Sequence, residues 1–168
     1  MSDFQVGDSV WFSGQSNRPG SYAQYTLVDS RIAARRPTSL SAAEAAAMPL
    51  TSITAWEGLH DHLRIGAHDS LLMIGGAGGV GSMVIQLARL ATDGDVVATS
   101  SREASRAWCR DMGATAVIDH RNDLAQELHE VGVNGVETVF SAYTVGREAE
   151  LAQLMSPFGR LVMIDGTD

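Results

Sequence analysis

Gly76-Ala77-Gly78-Gly79-Val80-Gly81 carries the clearest chemistry in the chain, because it fits Gly-x-Gly-x-x-Gly with an apolar run, Leu71 to Gly75, in front of it. Behind it a stretch of helical period places Val80, Met83, Val84, Leu87 and Ala91 on one face, and a second apolar run, Val96 to Thr99, follows about twenty residues on. In that context Gly76 allows a tight turn and Gly78 lets backbone approach a pyrophosphate. Gly81 lets the helix lie close to the strand. Phosphates then face free N–H groups at the positive end of a helix dipole, which is the chemistry of dinucleotide binding. A P-loop is excluded, since Ser82 stands where lysine is required.

The end of the second apolar run discriminates between nicotinamide cofactors. An NAD site usually places Asp or Glu there for the ribose 2′-hydroxyl, whereas this chain reads Ala98-Thr99-Ser100-Ser101-Arg102. Ser100, Arg102 and, one helical turn on, Arg106 offer hydroxyl and guanidinium donors suited to a 2′-phosphate. The expected cofactor is NADPH.

These groups need a scaffold, and the chain supplies one. Short apolar runs recur at Leu71 to Gly75, Val96 to Thr99, Ala116 to Ile118, Val136 to Phe140 and Leu161 to Ile164, with helical stretches between them. That alternation implies βαβ units in an α/β fold, a doubly wound parallel (Rossmann) sheet. Residues 1–40 have another texture: a turn and short strand in 4–12, a second expected strand from Ser21 to Asp29, and turn-rich sequence between. Residues 41–68 read as linking helices, with alanines at 42–47, a break around Pro49 and a helix from about Ser52 to Leu63.

Composition narrows the function classes. The 168 residues carry twenty acidic and twelve basic side chains, a net charge of −8, so a nucleic-acid partner is not expected. All twelve basic residues are arginine, which removes Schiff-base chemistry along with the P-loop. A single cysteine, Cys109, forms no internal disulfide and fits a reducing, cytoplasmic setting. No apolar run approaches the ~20 residues of a membrane helix. His60-x-His62 and His68 resemble metal spacing, yet two histidines separated by one residue point to different helix faces, so no metal site is assigned.

Taken in order, Gly7-Asp8-Ser9-Val10-Trp11, Gly20-Ser21-Tyr22-Ala23-Gln24-Tyr25, Ala45 through Trp56 and the glycine motif resemble the medium-chain dehydrogenase/reductase superfamily. Within it, the likeness is to the quinone oxidoreductase and zinc-type alcohol dehydrogenase-like branch. The resemblance implies the last strands of a GroES-like β domain in 1–40 and a nucleotide-binding domain lacking its final strand in 69–168, an internal fragment of about half a family chain. It implies Thr51 and Thr54 near the nicotinamide and its ribose, and Gly78, Gly79, Val80 and Gly81 along the pyrophosphate. Ser100, Arg102 and Arg106 would meet the 2′-phosphate, His120 would lie beside the adenosine, and Ser141 and Asp165-Gly166 would face cofactor. The implied activity is zinc-independent hydride transfer from NADPH to a quinone or α,β-unsaturated carbonyl acceptor by a homo-oligomeric parent, with little turnover expected of the fragment itself. None of Tyr22, Tyr25 and Tyr143 is assigned as proton donor. The alternatives are a zinc alcohol dehydrogenase whose ligands lie upstream, and an NADPH-binding module or truncated product without catalysis.

Overall fold

The computed structural model describes residues 4–166, which pack as two units, one running to Ile53 and the other starting at Thr54. In the first unit, β1 (Val10–Trp11) pairs antiparallel with β2 (Ala34–Arg35), and a short 3₁₀ turn, Ser30–Ile32, leads into β2. The strand expected over Ser21 to Asp29 is absent. Its large side chains Tyr22, Tyr25 and Leu27 are all exposed, and no strand among the described residues takes up its ladder hydrogen bonds; Ala34–Arg35 pairs with β1 instead.

Helix α1 (Ala42–Ala47) starts at a capping box: Ser41 Oγ accepts the Glu44 N–H, and the Glu44 carboxylate accepts the Ser41 N–H. Pro49, expected as a break, opens α2 (Pro49–Trp56) at its first position, where a missing N–H costs the helix nothing. From Glu57 to His62 the helix continues with π geometry, so the expected Ser52–Leu63 helix is two kinds of turn.

The second unit is built on five parallel strands: β3 (Leu71–Ile74), β4 (Val96–Thr99), β5 (Ala116–Ile118), β6 (Val136–Ser141) and β7 (Met155–Met163). Helices α3 (Gly79–Ala91), α4 (Glu103–Asp111), α5 (Leu124–Glu130) and α6 (Glu148–Gln153) connect them. The spatial order β5-β4-β3-β6-β7 is the doubly wound order 3-2-1-4-5, and its direction of winding reverses between β3 and β6. Leu71 sits opposite Val96 on one side and Thr138 on the other.

Period-2 alternation sorts each strand between two cores. Leu71, Met73, Val96, Ala98, Val117 and Phe140 pack with Val84, Ile85 and Ala88 of α3 and Cys109 of α4. Leu72, Ile74, Val97, Ile118 and Val139 pack with Leu124 and Leu128 of α5 and Leu151 of α6. A sheet covered on both faces needs apolar residues at every position, which is why β3 reads Leu-Leu-Met-Ile. Each fully buried side chain of this size contributes about 1.5–3 kcal/mol.

Candidate functional site

Strands β3 and β4 end side by side, and their carboxyl ends hold the glycine turn. The Gly75 N–H donates to Thr99 Oγ1 at 2.9 Å and the Gly76 N–H to the Thr99 carbonyl at 3.2 Å. The left-handed residue of the turn is Gly75, at φ +89°, one place before the position expected to make the bend. Gly76 is instead glycine for lack of space: a Cβ would lie 2.7 Å from Ala98 Cβ and 3.1 Å from Cys109 Sγ. Gly81 is equally constrained, because a Cβ there would press into the Gly75 carbonyl oxygen and lie 2.7 Å from that of Gly76.

Gly78 is different. A Cβ on it would meet nothing nearer than the Gly75 oxygen at 3.4 Å, an ordinary contact. The protein's own packing therefore does not require glycine there. Gly78 is the N-cap of α3 and supplies no side-chain cap, which leaves the first N–H groups of the helix facing outward without an intrahelical acceptor. Gly78 and Gly79 are exposed; Val80 and Gly81 pack inward.

At the tip of β4, the three residues expected to meet a 2′-phosphate divide into separate tasks. Ser100 is buried and its N–H donates to the Ile118 carbonyl. Arg106 turns toward the sheet, donating to the Ser100 carbonyl at 3.1 Å and the Val117 carbonyl at 2.6 Å. Two of its donors are therefore committed to backbone. Arg121, which sequence reasoning missed, donates to the neighbouring Ser101 carbonyl at 3.3 Å and clasps Asp119 at 2.6 Å, holding that carboxyl well below its ordinary pKa. Arg102, the N-cap residue of α4, is exposed, and its side chain makes no hydrogen bond or ion pair among the described residues. Two arginines thus brace the loop and a third projects from it.

His120 is exposed in the turn after β5, between Asp119 and Arg121. Ser141 is fully buried at the end of β6, where its Oγ accepts the Tyr143 N–H at 3.3 Å and its carbonyl accepts the Ile164 N–H. Asp165 accepts the N–H groups of Thr144 and Val145, so it ties the loop after β6 to the end of β7. Burial works to raise the Asp165 pKa, but these donors outweigh it and hold the carboxyl below its ordinary value. Both Ser141 and Asp165 are engaged in loop structure. Thr51 and Thr54 lie on α2, the former half-buried and donating back to the Met48 carbonyl at 3.0 Å. Tyr143, exposed, has its ring beside Gly75.

Zinc sites take three or four Cys, His or carboxylate ligands, and among the described residues no three such groups come together. The geometry at the carboxyl ends of β3, β4 and β5 fits an anionic dinucleotide: unpaired N–H groups, open space at Gly78 and a projecting guanidinium. Among the described residues no helix is long and apolar enough to cross a membrane.

Known proteins share this architecture. The sequence profile of the zinc-binding dehydrogenase family matches residues 79–166. A zinc-type alcohol dehydrogenase-like protein of Staphylococcus epidermidis is 37% identical over 171 residues, covering 98% of this chain and 51% of the relative. Among solved structures, a putative zinc-dependent alcohol dehydrogenase protein from Rhizobium etli CFN 42 is 44% identical at a TM-score of 0.91, over 98% of this chain and 50% of that one. The CurK enoyl reductase superposes at 0.74 with 26% identity, over 84% and 43%. The chain spans about half the length of these relatives. Its matched residues include the helix that follows the glycine turn and the four strands β4 to β7 of the parallel sheet, and the chain belongs to the zinc-binding dehydrogenase family of medium-chain dehydrogenase/reductase oxidoreductases.

Proposed function

We propose that this chain holds NADPH for hydride transfer to a quinone or an α,β-unsaturated carbonyl compound. The observation that carries the cofactor choice is the tip of β4, where no carboxylate stands and Arg102 projects with an unengaged side chain. A carboxylate there would accept from a ribose 2′-hydroxyl and repel a 2′-phosphate; a guanidinium does the reverse. The likeness to an enoyl reductase supports an unsaturated carbonyl as the acceptor class.

When bound, the nicotinamide supplies the hydride from its C4. The protein's part is to fix the dinucleotide. The N–H groups of Gly79, Val80 and Gly81 hold the pyrophosphate at the positive end of α3. Arg102 and Ser100 take the 2′-phosphate, while Arg106 and Arg121 keep the loop carrying them in place. His120 stands at the adenosine end, and Thr51 and Thr54 are assigned to the nicotinamide end on the family resemblance. In this proposal the protein acts as a homo-oligomer and no step runs through a metal.

The test is a calorimetric titration of NADPH and NADH into the wild-type chain and into Arg102→Ala. A charge-assisted hydrogen bond to phosphate contributes roughly 1.5–3 kcal/mol, so the substitution is expected to weaken NADPH about 10- to 100-fold and leave NADH nearly unchanged. Equal weakening of both cofactors contradicts the assignment. The family's description favours a second reading, a zinc-dependent alcohol dehydrogenase with its ligands outside the described residues. Zinc-dependent oxidation of a simple alcohol with NAD by a chain carrying the flanking sequence supports that reading over ours.

A further inference from the structure

A hydrogen-bonded chain runs from α4 into the glycine turn. Trp108, half-exposed on α4, donates its indole Nε1–H to Ser82 Oγ at 2.8 Å. Ser82 Oγ donates in turn to the Gly78 carbonyl at 2.8 Å, and that carbonyl also accepts the Ser82 N–H at 2.8 Å. An indole nitrogen can only donate, so it makes Ser82 Oγ an acceptor on one side and directs the hydroxyl proton to Gly78 on the other.

The peptide so held is the one between Gly78 and Gly79, two residues with no side chain to restrict it. The peptide bond is trans, so its N–H points opposite to its C=O. Two hydrogen bonds aim the Gly78 carbonyl along α3. The Gly79 N–H is thereby aimed off the helix start, where it has no intrahelical acceptor.

We infer that Trp108 is a positioning residue for the cofactor pyrophosphate, acting through Ser82 and the Gly78 carbonyl to orient the Gly79 N–H. This rests on the NADPH reading above. It explains why a half-exposed tryptophan on α4 reaches across to α3, a contact that the two helices' buried cores do not require. The α4 helix, whose first residues follow the 2′-phosphate loop, is in this way also tied to the pyrophosphate turn.

The experiment compares wild type, Trp108→Phe, Ser82→Ala and the double variant in the full chain. Two probes are titrated: NADPH, and adenosine 2′-monophosphate, which has the 2′-phosphate and no pyrophosphate. Trp108→Phe keeps an apolar ring on the surface and is expected to melt like wild type, to weaken NADPH about 3- to 10-fold, and to leave adenosine 2′-monophosphate within twofold. The double variant is expected to bind NADPH no more weakly than Ser82→Ala, since both act through one chain of bonds. In the ligand-free protein, the Gly79 amide resonance is expected to move in Trp108→Phe. Unchanged NADPH affinity overturns the inference, as does equal weakening of both probes, which marks a purely structural role. A wild-type chain that takes up neither probe removes the NADPH reading itself, and the positioning role with it.

Discussion

Arg102 and Arg106 stand one helical turn apart and carry the same group, yet their surroundings give them opposite tasks. Arg106 is half-buried and donates to two backbone carbonyls, Ser100 just after β4 and Val117 within β5. Replacing it with alanine leaves those acceptors without their charged donor, and is expected to cost about 1–3 kcal/mol of folding stability, measured by urea denaturation. Arg102→Ala removes an exposed side chain and is expected to leave the denaturation midpoint unchanged. An Arg106 variant as stable as wild type contradicts the bracing role. The sequence shows three donors near a strand end, but which guanidinium turns inward depends on the carbonyls of β5, a neighbour that only the folded sheet supplies.

Within the strand-turn-helix element, the glycines separate into packing and binding positions. Gly81→Val forces a branched side chain into the carbonyls of Gly75 and Gly76, so the chain is expected to lose its cooperative thermal transition or melt far below wild type. Gly78→Val meets no such obstacle and is expected to fold, with a modest loss in melting temperature, while failing to bind NADPH. Normal NADPH binding by Gly78→Val contradicts the pyrophosphate assignment. The motif and its strand and helix were legible because apolar period and glycine spacing agree over twenty residues. The bend at Gly75 was not, since Gly75 and Gly76 are a doublet and only backbone angles tell which residue turns. The Ser21–Asp29 strand failed for the converse reason: alternation describes a strand's faces but provides no partner for its backbone.

The loop into β3 and the end of α3 are joined by another element-level contact, His68 Nδ1 to Asp93 Oδ1 at 2.8 Å. The hydrogen bond and charge of Asp93 raise the His68 pKa above its ordinary 6.5. The pair's small contribution is therefore complete below about that value and is lost as pH rises through the raised one. The difference in melting temperature between wild type and Asp93→Asn is expected to shrink from pH 6 to pH 8; a difference that grows with pH contradicts the sign.

Across the whole of the second unit, the order β5-β4-β3-β6-β7 puts the reversal of winding between β3 and β6, and ligands of doubly wound sheets bind outside the strands' carboxyl ends at that point. Everything assigned to cofactor in this unit after a strand follows its carboxyl end: the glycine turn after β3, Ser100 and Arg102 after β4, His120 after β5. At the opposite end of the sheet Glu137 gathers Ser70 and Ser156, a closed polar cluster that holds strands together. The most direct test is to add NADPH to the isotopically labelled chain and follow backbone amide resonances. The account predicts shifts at Gly78, Gly79, Val80, Gly81, Arg102 and His120, with Glu137 and Ser156 unmoved. Shifts confined to the Glu137 end, or no shifts at millimolar NADPH, would contradict it.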